Sequence, residues 1–181
     1  MKATGIVRRI DDLGRVVIPK EIRRTMRIRE GDPLEIFTDK DGEVIFKKYS
    51  PIGELGNFAT QYAEILAKIS GHAVCITDRD VIIAVSGVPK KEILERKVSS
   101  DVENFLRDRT AYELKHPEDK KYTFAENIDK YSISILTPII SDSDVIGSVI
   151  FFGSEKPEVM SDIELKLSQS AASFLGKQME E

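Results

Sequence analysis

Near residue 50 the chain changes its hydrophobic rhythm, and that break decides what it can fold into. Upstream, apolar residues come in short, β-branched runs separated by Asp, Gly and Pro. Downstream they recur every three or four residues over long stretches. The 181 residues therefore read as two domains. We place the first at 1–50, a linker at 51–56 and the second at 57–181.

The first domain reads as two strands, 4–10 and 15–18, around the turn cluster Asp11-Asp12-Leu13-Gly14. Pro19 stops the second strand and opens a short helix, 20–27, with Ile22 and Met26 as its buried stripe. A hairpin follows, 34–37 and 43–46 across Asp39-Lys40-Asp41-Gly42. A domain of about fifty residues, with no disulfide and no metal ligands, buries too little apolar surface to stand comfortably alone. Dimerisation is the expected remedy.

The second domain opens with a helix whose apolar stripe is Leu55, Phe58, Tyr62, Ile65 and Ile69, closed by Gly71. Strands are expected at 73–77 and 81–85, a short helix from Pro89, and another from a Ser100–Glu103 capping box. Residues 115–129 read as a polar surface loop with one weak strand. Strands at 132–140 and 145–152 follow, then a helix capped by Ser161 and Glu164 with Leu167, Ala171, Phe174, Leu175 and Met179 on its apolar face. Two such helices carry wider stripes than one small sheet needs. They are expected to pack against a second copy as a helical bundle.

The net charge of −4 hides a division. Residues 1–29 carry nine Lys/Arg against three acids, a balance of +6 that leaves −10 for the rest. A basic head on an acidic body suggests nucleic-acid contact through the head. The head favours arginine, which makes bidentate contacts to phosphate and guanine edges. No apolar stretch is long enough to span a bilayer, and no apolar signal region follows the first residues, so a cytosolic address is expected. The lone Cys75 excludes an internal disulfide and reads as a small core hydrophobe. His72 and His116 match no metal spacing, and Asp78/Asp80 and Asp142/Asp144 read as turn residues. No nucleophile–base pair, metal cluster or phosphate loop appears, so no enzyme is expected.

The segment Asp11-Asp12-Leu13-Gly14-Arg15-Val16-Val17-Ile18-Pro19-Lys20-Glu21-Ile22-Arg23-Arg24, with its flanks through Lys47-Lys48-Tyr49, resembles the AbrB family of transition-state regulators. The resemblance implies an α+β, two-domain chain. Its head is a swapped-hairpin β-barrel in which two chains interleave, followed by a GAF-like α/β sheet domain flanked by long helices. It places the DNA contacts on Arg8, Arg15, Arg23 and Arg24, with Arg9 where relatives often have lysine and Lys47-Lys48 as secondary phosphate contacts. It implies double-stranded DNA as partner, a homodimer through the head, a homotetramer through the GAF-domain helices, and no cofactor. The implied role is activation and repression of late forespore genes during sporulation, in the cytoplasm on the nucleoid. An unidentified small ligand is expected in a pocket between the GAF sheet and the 115–129 loop. The alternative is an antitoxin, which uses the same swapped hairpin before a disordered toxin-binding tail.

Overall fold

The computed structural model describes residues 5–50, 52, 56–153 and 158–180. Thr4 of the expected first strand, Leu55 of the expected stripe and most of the 51–56 linker lie outside these residues. The chain divides into two compact units, Met1–Tyr49 and Ser50–Glu181.

In the first unit, Pro19 at φ −58° caps helix α1, Lys20–Thr25. Strands β1, Leu34–Thr38, and β2, Val44–Lys48, pair antiparallel with Ile36 opposite Phe46. The Asp39 carboxylate makes their turn by accepting the N–H groups of Asp41 and Glu43, each at 3.0 Å. Residues 5–10 and 15–18 form no strand. A strand needs a neighbour for its backbone N–H and C=O groups, and among the described residues the backbone of these segments is bonded at Arg15 alone, whose carbonyl accepts the Asp11 N–H (3.0 Å) and whose N–H donates to Asp11 Oδ1 (2.8 Å). Nor do Ile22 and Met26 become buried; Met26 is 48% exposed. Pro19 is the one buried residue described in this unit, while Val7, Ile10, Leu13, Val17 and Ile36 all face solvent. Among its described residues the head has apolar side chains but no core of its own.

The second unit is built on a five-stranded antiparallel sheet. Its strands are β3 (Ala73–Asp78), β4 (Ile82–Ser86), β5 (Tyr112–Glu113), β6 (Ser132–Ser141) and β7 (Asp144–Gly153), in the spatial order β4-β3-β7-β6-β5. Strand alternation sends Val74, Ile76, Val149 and Phe151 to one face and Cys75, Ile150 and Phe152 to the other. The first face is covered by α2, Gly56–Ser70, and α5, Asp162–Lys177. The second is covered by α3, Lys90–Ile93, α4, Ser100–Asp108, and the 110–131 segment. Ser50 begins this unit by donating its hydroxyl to Asp78 Oδ2 (2.9 Å), and Ile52 is wholly buried in the helix-side core.

Three expectations change in detail. The cap of α4 is Ser99, whose Oγ accepts the Val102 N–H at 3.2 Å, one residue before the expected Ser100. On α2 the buried line is Ala59, Ala63 and Leu66, because small side chains let the helix approach the sheet. Phe58 and Tyr62 flank that line, and Ile65 and Ile69 stand outward. The polar 115–129 loop also carries core: Phe124 is fully buried and stacks 4.4 Å from Phe152.

The Ser161–Glu164 capping box forms as expected, with Ser161 N–H and Oγ donating to Glu164 Oε2 at 2.9 and 2.6 Å. Burial pushes the Glu164 carboxyl up, but those bonds and nearby His72 outweigh it and hold it below the usual carboxylate range. A depressed folded value stabilises the fold above the ordinary glutamate range, and that contribution disappears as pH falls through the depressed value. Ser161→Ala should cost ~1 kcal/mol at neutral pH and less in acid. Urea titrations of both proteins at the two pH values check this.

Candidate nucleic-acid interface

The cationic side chains of the head are held by three pieces of local structure. Arg8 and Arg9 lie on the exposed stretch before the 11–15 turn and form no hydrogen bond or ion pair among the described residues. Asp11 organises that turn. Its Oδ1 accepts the N–H of Leu13 (3.0 Å) and of Arg15 (2.8 Å), and its Oδ2 accepts Arg15 Nε (2.8 Å). The Arg15 backbone N–H first, then its guanidinium, hold the Asp11 carboxyl below its ordinary value. Arg15 is thus aimed rather than neutralised: the bond uses Nε, and its side chain stays 70% exposed.

The last turn of α1 presents Arg23 and Arg24 side by side. Arg24 is exposed and unpaired among the described residues; Arg23 is half-buried, with its Nε enclosed and without a hydrogen-bond partner. A guanidinium normally satisfies its five donors, so the enclosed Arg23 Nε is left short of a partner among the described residues. Lys47 and Lys48 end β2. Lys47 Nζ lies 5.1 Å from the centre of the Phe37 ring. Lys48 Nζ donates to the Arg27 carbonyl (2.9 Å), which ties β2 to the left-handed exit of α1, where Arg27 has φ +53°. Of the residues expected to meet DNA, Lys48 therefore has a structural task as well. The turn-building role of Asp11 was not visible from residue spacing alone; its only sequence signal was aspartate followed by glycine in a turn cluster.

A second concave site lies on the body. A hollow of about 230 Å³ is lined by Asp101, Asn104, Phe105 and Asp108 of α4, with Thr110, Lys120 and Tyr122 from the segment after it. Its rings belong to a three-way cluster in which Phe105, Tyr112 and Tyr122 stand 4.9–5.4 Å apart. Tyr112 donates its hydroxyl to the Lys120 carbonyl (3.2 Å), and burial above all, then Tyr122 and Asp119, raises its pKa above the ordinary tyrosine value. The space between the sheet and α4 is instead filled by Phe124, Tyr131 and Phe152.

Residues 54–180 match the family described as Stage V sporulation protein T C-terminal, transcription factor. Residues 7–53 match Antidote-toxin recognition MazE, bacterial antitoxin. Over 51 residues, 28% of this chain and 52% of the relative, the head is 63% identical to the Transition state regulatory protein AbrB of Bacillus subtilis (strain 168). The body shares the fold of the GAF domain from an Acinetobacter phosphoenolpyruvate-protein phosphotransferase. The TM-score is 0.56 at 14% identity, over 69% of this chain and 81% of that one. An AbrB-type head followed by a GAF-fold body defines the class. Over 182 residues, spanning the whole of both chains, this one is 53% identical to Stage V sporulation protein T of Bacillus subtilis (strain 168). The chain belongs to the stage V sporulation protein T family.

Proposed function

We propose that this protein is a sequence-specific DNA-binding transcription regulator of sporulation, activating some forespore genes and repressing others from the cytoplasm. The observation that carries the reading is the set of uncommitted guanidinium groups at Arg8, Arg9 and Arg24, with Arg15 oriented by Asp11. The coreless head favours a dimer that interleaves residues 5–18 of two chains, which doubles this cationic surface. Arg23, Lys47 and Lys48 complete the interface. The body acts as the sensor, with a small ligand modulating DNA binding.

Fluorescence anisotropy on duplex DNA from a sporulation promoter tests this. If about six phosphates are neutralised, log K against log salt should fall with a slope near −5, or roughly a thousandfold between 50 and 200 mM salt. A slope flatter than about −2 would rule out an arginine-lined duplex interface.

The tetramer reading rests on a remaining apolar face. Phe58, Tyr62 and Phe174 stack within 6.0 Å of one another across α2 and α5, and Ile65, Ile69 and Ile163 continue outward, Ile69 and Ile163 each 65% exposed. Ile69→Glu combined with Phe174→Glu should halve the mass seen by light scattering while leaving a DNA-competent dimer. An unchanged mass would place the dimer–dimer contact elsewhere. The antitoxin alternative is not favoured, because the residues after the head form a folded sheet domain where an antitoxin has a disordered tail.

A further inference from the structure

The hollow beside α4 has a chemistry that specifies its occupant, and the argument rests on the reading of the body as a sensor. Asp101, Asn104 and Asp108 recur at spacings of three and four, so one helix face carries a carboxylate, a carboxamide and a second carboxylate in line. Asp101 commits Oδ2 to the Thr123 N–H (3.2 Å) and Asp108 commits Oδ1 to Arg107 Nε (3.1 Å), which leaves one oxygen on each. The Asn104 side chain forms no hydrogen bond among the described residues. From the segment after α4, Lys120 Nζ rests 4.7 Å from the centre of the Tyr122 ring and meets no carboxylate among the described residues. The same lining includes the rings of Phe105 and Tyr122.

We propose that this hollow binds a small zwitterion, of which an α-amino acid with an apolar side chain is the simplest case. The ligand ammonium sits against Asp101, Asn104 and Asp108, its carboxylate meets Lys120, and its apolar body lies on the Phe105 and Tyr122 rings. Three features of the site argue for this class. The lining carries both charges, so an ion of either single sign leaves one of them uncompensated. Carboxylate with carboxamide is a donor-seeking set, matched to an ammonium with three N–H groups. The volume of about 230 Å³ lies below the ~300–1,000 Å³ of sites for drug-sized ligands, so the occupant is a small metabolite.

The test uses the full chain and a panel of the common α-amino acids at millimolar concentration. It is read first as a rise in melting temperature and then as Kd by titration calorimetry. At least one apolar amino acid should bind. Its decarboxylated amine and its deaminated acid should each bind at least tenfold more weakly. Asp108→Asn and Lys120→Met, both at exposed positions, should each weaken binding at least tenfold while circular dichroism and oligomer mass stay unchanged. The proposal is overturned if no zwitterion raises the melting temperature, if the simple amine binds as tightly as the amino acid, or if both variants bind like the parent. The same variants are assayed on duplex DNA without ligand. Retained DNA binding alongside lost amino-acid binding isolates this site, whereas loss of DNA binding by the parent would instead strike at the regulator reading.

Discussion

Arg24→Ala should abolish operator binding by the full-length protein without changing its oligomeric mass, and Arg23→Ala should do the same. A bidentate arginine contact is worth ~1–3 kcal/mol. The proposed symmetric dimer would lose two at once, so ~2–6 kcal/mol would disappear, a drop in affinity of roughly 30-fold to more than 10⁴-fold. Arg24 gives the cleaner test because it is exposed and its side chain forms no hydrogen bond or ion pair among the described residues. Arg23 is half-buried with its Nε enclosed, so its removal also alters local packing. Arg24→Lys keeps the charge and loses the fork, and should fall between parent and alanine variant, with its weakening concentrated on specific rather than random DNA. Gel shift or anisotropy with parallel light scattering reads all three. Full affinity in Arg24→Ala would remove α1 from the interface.

The second large effect lies in the body. Gly147 sits where β7 crosses β3, and a Cβ there would fall 2.0 Å from the Thr77 carbonyl oxygen and 3.2 Å from Asp78 Cα. Gly176 is the matching case on α5, with the Ile140 carbonyl oxygen at 2.1 Å. Both obstacles are backbone atoms, which cannot swing aside as a flexible side chain would. Overpacking in a well-packed core typically costs ~1–3 kcal/mol. Displacing a central ladder also breaks its hydrogen bonds, so Gly147→Ala should cost at least about 4 kcal/mol of the ~5–15 kcal/mol available to a domain. The variant should melt far below the parent or accumulate as insoluble protein. A urea midpoint within experimental error of the parent would mean that β3 and β7 do not approach as described.

Residues 73–77, 81–85, 132–140 and 145–152 were legible as strands because β-branched runs ended at turn residues whose chemistry is local. Asp78 illustrates this: its Oδ1 accepts the N–H groups of Asp80 and Val81 within the same turn (2.7 and 2.6 Å). Ser161–Glu164 was legible for the same reason. The failures share the opposite property. Residues 5–10 and 15–18 carry strand propensity, yet no strand among the described residues pairs with them. The large residues of α2 outweighed its alanines in the periodic reading, although the approach of helix to sheet selects the alanines. Phe124 lay hidden in a polar stretch, since its burial depends on Phe152, far away in sequence.

In the candidate interface, the arginines were legible from charge and from motif, because exposed cations need no tertiary explanation. The hollow beside α4 was not. Its helix face of Asp101, Asn104 and Asp108 resembles any solvated stripe until Lys120 and Tyr122 are folded over it. The i, i+3, i+7 polar line was the available signal, and it becomes specific only when a cation faces it from another segment.

If the head folds as the proposed dimer, its stability is measured in moles per litre, because Pro19 is the one buried residue among those described in this unit. On that reading its folding is a second-order event when the protomers are free, and becomes first-order if the bodies hold two heads together at an effective concentration of about millimolar. An agent that loosened such a pair of bodies would silence the DNA reader by dilution alone, and the number of protein copies in a cell would become part of the switch.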